Sequence, residues 1–281
     1  MEKDIDREKF KEKKRAELEA LYDAVNEETL MIAEDQEKFS AYLRIQARFN
    51  RYTVTNAILL LHQFPDAQKL KTFEGWKRDG ASVKRGEKSI SILEPYSYTK
   101  ADGSMGKGFR IKKLFDISQT DVRMSPAPFL TGVSSRSLLR ALLEASPVKS
   151  EAADTLDHGK DAVYDQKKQK IYIRRMLEPD DFFRAAAVSI AEAQLAEQGS
   201  SQEELESKAE ATAFMLCVKY GIDPGRLIVK MPEAAAQMEI KDIKADLSEI
   251  RKTFTGIADR ADESIRVQRK AGRERGHHEE R

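Results

Sequence analysis

Lys84, Arg85 and Lys88 surround Gly86 in the stretch Lys-Arg-Gly-Glu-Lys. A glycine turn carrying three cations can present charged side chains and free backbone amides to phosphates. Each phosphate so neutralised adds affinity that weakens with salt and carries no base preference. Tyr52, Phe73 and Trp76 lie upstream, and aromatic rings beside a cationic patch can stack unpaired bases at about 1–3 kcal/mol each. Each feature also has a plainer reading. Taken alone, the cationic cluster reads as a solvated hairpin tip. Trp76 sits on an amphipathic stretch and fits a core as well as a platform. Phe73 fits a core better than a platform. Tyr52 and Asn56, one helical turn apart, can close the start of a helix through hydrogen bonds.

The charge distribution supports separate tasks for the two halves. The 281 residues carry 49 Lys+Arg and 48 Asp+Glu, a formal net charge of +1, which by itself gives no nucleic-acid signal. Residues 68–113 hold twelve basic and five acidic residues, a net +7, so the rest of the chain sums to −6. Much of that counterweight falls in residues 178–210, where nine acids face only Arg184 and Lys208. Sign asymmetry of this kind marks a basic part followed by an acidic one, each with its own task. The single cysteine, Cys217, excludes an intramolecular disulfide and a cysteine-based zinc cluster. The four histidines are His62, His158, His277 and His278. His277-His278, on a charged tail, reads as flexible tail more than as a metal site. No run approaches the ~18 apolar residues of a membrane span, and the amino-terminal stretch lacks the apolar segment of a secretion signal. The expectation is a cytoplasmic protein with no membrane association.

The elements that must position these residues follow from periodicity. Residues 3–38 read as one charged helix, 39–49 as a second, and the apolar 55–63 as a third that stops before Pro65. Thr72 is placed to cap a short helix bearing Phe73, Trp76 and Lys77, closed at Gly80. The pattern then changes to period two. Residues 89–93 alternate and close on Pro95, a glycine-rich turn follows, and 109–117 return as the second strand. Residues 122–134, with Pro126, Pro128 and Gly132, read as a linker. Beyond it come a helix over 135–144, a hairpin from 163–164 and 171–173, and an alanine-rich helix from Pro179 to about Gln198. Further helices follow over about 202–220 and from Pro232 to as far as Arg269, then a disordered tail over 270–281. The fold class is α+β. It comprises N-terminal helices with a small antiparallel sheet over 39–121, preceded by the helix of 1–38, and a mostly helical second domain over 135–269 with a β-hairpin.

Several of these residues together carry a family resemblance. They are Tyr52-Thr53-Val54-Thr55-Asn56, Leu59-Leu60, Gln63, Pro65-Asp66-Ala67, Phe73, Gly75-Trp76, Gly80 and residues 83–88. Ile90, Ile92-Leu93, Pro95 and Phe115-Asp116-Ile117-Ser118-Gln119-Thr120 complete the set. In this order and spacing, residues 40–120 resemble the N-terminal single-stranded-DNA-binding domain of ArdC-type antirestriction proteins, also found in LtrC-like proteins of conjugative elements. Thr53, Glu94 and Ser89 depart from the residues usual there. The resemblance implies single-stranded DNA as partner, and it tips the cationic turn toward nucleic-acid contact. The candidate contacts are Tyr52, Asn56, Trp76, Lys77, Lys84, Arg85 and Lys88. The 115–120 motif reads as structural, ending a strand and turning the chain.

The second half resembles the zincin-type metallopeptidase domain of the same family, related to IrrE-like proteases. The resemblance rests on the hairpin, the alanine-rich helix, residues 208–214 and Tyr220-Gly221-Ile222-Asp223. Those domains carry HExxH, two histidines one turn apart holding zinc with a glutamate as base, and a carboxylate on the next helix. Here Ser189 and Ala193 stand in place of the histidines and Ile190 in place of the base, while Glu210 matches the third ligand. Placing the base at Glu192 instead leaves Ala191 and Leu195 as ligands. The expectation is therefore no metal, no cofactor and no catalysis. A degenerate zincin-like half would serve as scaffold or as a module recruiting a conjugation or restriction-related protein, with Glu192 and Glu210 as ordinary solvated acids. Two alternatives stand beside it. One is a metal-dependent peptidase drawing ligands from His158, Glu192 and Glu210; the other is an interaction module for which DNA is incidental.

Overall fold

A computed structural model describes residues 2–100, 102–122, 133–199, 202–225 and 227–279. The chain opens with α1 (Glu2–Glu34) and α2 (Gln36–Arg48). The single helix expected over 3–38 is two, because the Asp35 carboxylate accepts from the amides of Glu37 at 2.7 Å and Lys38 at 3.0 Å and so caps a new start. α3 (Val54–Gln63) is capped by Thr53, and its Ala57 to Leu61 run is buried on every side, as an all-apolar helix requires.

Next come β1 (Leu70–Lys71), α4 (Phe73–Arg78), β2 (Ile90–Thr99) and β3 (Met105–Asp116), with the sheet ordered β1-β3-β2 and antiparallel throughout. Thr72 caps α4 through the Gly75 amide at 3.0 Å, as expected from sequence. β2 does not close at Pro95 but runs on to Thr99, paired residue for residue from Ile90↔Leu114 to Thr99↔Met105. Ser91 and Leu93 turn their N–H and C=O groups away from β3 and toward α3. By period two, the Pro95 nitrogen also points to that outer edge, where its missing N–H removes no ladder bond.

The second half contains α5 (Ser135–Glu144), β4 (Lys149–Ala153), β5 (Ala162–Asp165), β6 (Lys170–Arg174), α6 (Pro179–Gln198), α7 (Gln202–Tyr220) and α8 (Ile240–Glu279). The sheet order is β4-β6-β5, with β4 parallel and β5 antiparallel to β6. The β5–β6 hairpin is the expected one. β4 was not expected, since Lys-Ser-Glu-Ala-Ala shows no apolar alternation; it is a polar edge strand. Pro232 opens a 3₁₀ turn over Glu233–Gln237, and the long helix begins only at Ile240. The tail expected to be disordered instead continues α8 to Glu279, although Gly272 and Gly276 are poor helix formers. Most of the expected linker, 123–132, lies outside the described residues, as do 280–281.

One apolar core joins the halves. Phe39, Tyr42 and Leu43 of α2, Ile58 and Leu59 of α3, Met215 and Leu216 of α7, and Phe254 and Ile257 of α8 all belong to it. The Arg44 guanidinium lies 4.9 Å over the Phe214 ring, and Arg51 reaches Asp259 at 3.1 Å. α6 and α7 pack through Ala186, Ala187, Ala191, Ala209 and Ala213, all fully buried, where small side chains permit close helix approach. Cys217 is buried among them, and burial pushes its thiol up to about 12.

Candidate nucleic-acid interface

The basic turn is held by the chain segment that follows β3. Asp116 is fully buried, and one carboxylate oxygen accepts from the backbone amides of Gln68 (2.6 Å) and Lys69 (2.8 Å). Its other oxygen accepts from the Ser118 amide at 2.9 Å and hydroxyl at 2.8 Å. Gln119 completes a reciprocal capping box by accepting from the Asp116 amide at 2.8 Å. The Gln119 amide nitrogen then donates to the Lys88 carbonyl at 2.8 Å and the Glu87 carboxylate at 2.9 Å. Lys84 bonds back through its amide to the Gln119 carbonyl and through its ammonium to the Ser118 carbonyl, both at 2.9 Å. Lys84, Arg85 and Lys88 are therefore exposed side chains on a backbone clamped from both ends, with Gly86 at φ 89° making the turn.

Asn56 is not a free contact. It is buried; its amide donates to the Leu93 carbonyl at 2.9 Å and its oxygen accepts from the Leu93 amide at 2.8 Å. Two turns on, Gln63 does the same to Ser91, with both bonds at 2.9 Å. The two side-chain amides thus take the place of a neighbouring strand and satisfy the open edge of β2. Asn56→Ala leaves one donor and one acceptor on Leu93 without partners beside a groove that water can enter. We expect a loss of about 2 kcal/mol, read by chemical denaturation.

Trp76 is also corrected. It is 2% exposed, its Nε1 donates to the Phe115 carbonyl at 2.8 Å, and it forms a small second core with Ala81 and Ile117. No ring face is left for a base. Phe73, expected as core, is the exposed member of the pair at 51%, in edge contact with Phe115 at 6.3 Å. Lys77 is exposed on α4.

A groove of about 400 Å³ runs between α4 with β1 on one side and the β2–β3 sheet on the other. Tyr52, Lys71, Arg78, Ile92, Glu94 and Lys112 are among the residues lining it. Tyr52 is half-buried and stacked on Phe49 at 5.5 Å and 15°, and burial raises its phenol. Glu94 is held between Arg110 at 2.7 Å and Lys112 at 2.5 Å, and these two cations keep its carboxyl below the usual range. The groove thus offers one ring and three cations, two of them ion-paired: Lys71 with Asp79 and Lys112 with Glu94. Lys71, Arg78 and Lys112 were missed from sequence; their basic segment was visible, but not which of its cations share a wall.

A second cleft, of about 470 Å³, opens between β5, α6 and α7. Of the predicted degenerate positions, Ser189 and Glu210 line it. Ile190 and Ala193 are fully buried and lie outside the cleft lining, because the face of α6 that borders it runs through Ala185, Val188, Ser189 and Glu192. Glu192 is not a solvated acid. Burial pushes its carboxyl up to about 7, with Lys160 opposing the shift and Glu206 and Glu210 adding to it. Burial likewise raises Glu210. Arg184 is fixed by Asp181 at 2.7 Å and the Asp223 carbonyl at 2.6 Å. The cleft lining holds Ser189 and five carboxylates but no His or Cys, which is not the nitrogen- or sulfur-rich donor set that zinc prefers. Among the described residues no group of three or more His, Cys, Asp or Glu is placed to hold a metal ion, and the His158 side chain lies outside the described set. Among the described residues no helix is long and apolar enough to cross a membrane.

Residues 17–123 match the family model described as the N-terminal domain of anti-restriction factor ArdC. The chain is also similar to the crystal structure of the antirestriction ArdC protein from the R388 plasmid in its metal-free form. That likeness has a TM-score of 0.51 and 16% identity, over 75% of this chain and 85% of that one. The Mn(II)-bound structure of the R388 protein gives a TM-score of 0.45 and 17% identity, over 77% and 84%. At such identity the likeness is one of fold. No curated protein matches the chain.

Proposed function

We propose that this is an antirestriction protein of plasmid or conjugative-element biology whose residues 17–123 bind single-stranded DNA without base specificity. The observation that carries the reading is the groove lined by Tyr52, Lys71, Arg78 and Lys112 within the part of the chain that matches the ArdC N-terminal model. Phosphates would meet Lys71, Arg78 and Lys112 along the groove and Lys84, Arg85 and Lys88 on the clamped turn. Tyr52 offers a ring to an unstacked base. A groove with one half-buried ring and flanking cations suits a flexible strand whose bases are free to turn inward. Fluorescence anisotropy with single- and double-stranded oligonucleotides tests this. Preference for the single strand is expected, and changing Lys84, Arg85 and Lys88 together to Ala should weaken it on the order of tenfold. Equal affinity for both forms, or an unaffected triple variant, overturns the reading.

The second half serves in this account as a non-catalytic, zincin-like scaffold, acting in the cytoplasm and open to a conjugation or restriction-related partner. The support is the cleft itself, whose described lining holds carboxylates and a serine but no imidazole or thiol. Elemental analysis of the purified full chain should find no stoichiometric zinc. One zinc ion per chain would contradict it.

A further inference from the structure

The outer part of the β2–β3 hairpin carries a feature that the groove does not use. Glu94, Tyr96 and Tyr98 alternate along β2 and so share a face of the sheet with Ile92 of the groove. Tyr96 stands opposite Gly108 and Tyr98 opposite Gly106. Neither glycine has a positive φ, so backbone conformation does not call for them. Close approach does. A Cβ on Gly106 would stand 2.6 Å from Tyr98 Cζ, and one on Gly108 would stand 3.0 Å from Tyr96 Cε1. Each ring therefore rests on the opposite strand where a side chain would otherwise be, leaving its outer side to solvent. The rings are 41% and 44% exposed, with centroids 5.8 Å apart and planes inclined by 39°.

We propose that Tyr96 and Tyr98 form a base-stacking platform that extends the groove outward along β2. This rests on the single-strand reading given above. Residues 94–113 hold five cations and two acids, a net +3; Lys113 pairs with Glu17, and Asp102 is engaged by Ser104 at 2.9 and 2.7 Å. Glu94, where groove and platform meet, is neutralised by Arg110 and Lys112. Two flat, open rings beyond the neutralised Glu94, on a hairpin that also carries Lys100 and Lys107, fit a polyanion that presents π-faces, which is single-stranded nucleic acid. An apolar protein partner would gain the rings but have to desolvate Lys100, Lys107 and the Glu94 ion pairs. From Ile92 to Tyr98 the strand spans ~20 Å, which gives the bound strand a continuous track from groove to tip.

The test uses the full chain and an oligo-dT carrying one 5-iodouracil at varied positions. Photo-crosslinking followed by mass mapping should place adducts on Tyr96 or Tyr98. Tyr96→Leu with Tyr98→Leu should weaken binding about five- to a hundredfold for each base lost, while the slope of affinity against salt stays unchanged because no phosphate contact is removed. Tyr96→Phe with Tyr98→Phe keeps the rings and should bind as the parent does, which separates stacking from any folding defect in the leucine variant. If the parent chain does not bind single strands, the underlying reading fails, and this one with it. If it binds through Lys84, Arg85 and Lys88 while the leucine variant binds equally well and crosslinks map elsewhere, the platform alone is overturned. A leucine variant that changes only the oligomeric state also overturns it, by assigning the rings to a second copy.

Discussion

Asp116→Ala is expected to destabilise the protein by about 4 kcal/mol, since three backbone amides and a hydroxyl lose a buried acceptor at roughly 1–3 kcal/mol for each donor left unsatisfied. Asp116→Asn should not rescue it. Both carboxylate oxygens accept, each from two donors, so the asparagine NH₂ must face one pair of donors whichever way it turns. The loss should reach the basic turn indirectly: the Asp116 backbone amide still donates to Gln119, but the turn that sets Gln119 against Lys88 loses the Ser118 bonds that hold it. Chemical denaturation and amide exchange check this together. A large stability loss with faster exchange at Lys69 and Ser118 is expected; a stable Asp116→Asn protein would mean that the clamp is not as described.

Glu192→Gln is expected to do the opposite, and only above about pH 4.5. The folded-state carboxyl titrates at about 7 against an ordinary 4.5, chiefly because it is buried. The folded protein therefore binds its proton more tightly than the unfolded chain does. The associated cost is absent below pH 4.5, grows as pH rises to about 7, and is complete beyond it, at about 3 kcal/mol. Glutamine carries no charge to desolvate, so the variant should be about 3 kcal/mol more stable at pH 8 and nearly equal to the parent at pH 4.5. Urea denaturation at the two values checks this. A variant destabilised at pH 8, or one shifted equally at both, would contradict a buried, uncompensated carboxylate.

Which parts were legible in the sequence follows from which interactions are local. The apolar run of α3, the Thr72 cap and the β5–β6 hairpin depend on near neighbours, and each is where the pattern put it. Trp76 and Phe73 exchanged places because α4 has six residues, too short for periodicity to say which side faces the core. Asn56 reads from sequence as a helix-start residue or a nucleic-acid contact, because its partner, Leu93, lies 37 residues away on a strand edge. Tyr96 and Tyr98 fell beyond Pro95, read as a strand end; only the sheet register shows the proline on an edge that needs no donor. In the second half, the alanine-rich α6 gives no signal of which side borders the cleft. Hence Ile190 and Ala193 carry the degenerate-site reading without lining the cleft, and the desolvation of Glu192 within it is invisible from sequence.

The central claim is that residues 17–123 hold a single strand chiefly through phosphate contacts from the groove and the clamped turn. A salt series on single-stranded oligonucleotide binding tests it most directly, with parent and Lys84→Ala/Arg85→Ala/Lys88→Ala proteins side by side. If each of the three cations meets one phosphate, the slope of log affinity against log salt should become shallower by about 2, at about 0.7 per contact on a single strand. Identical slopes for the two proteins would contradict the account.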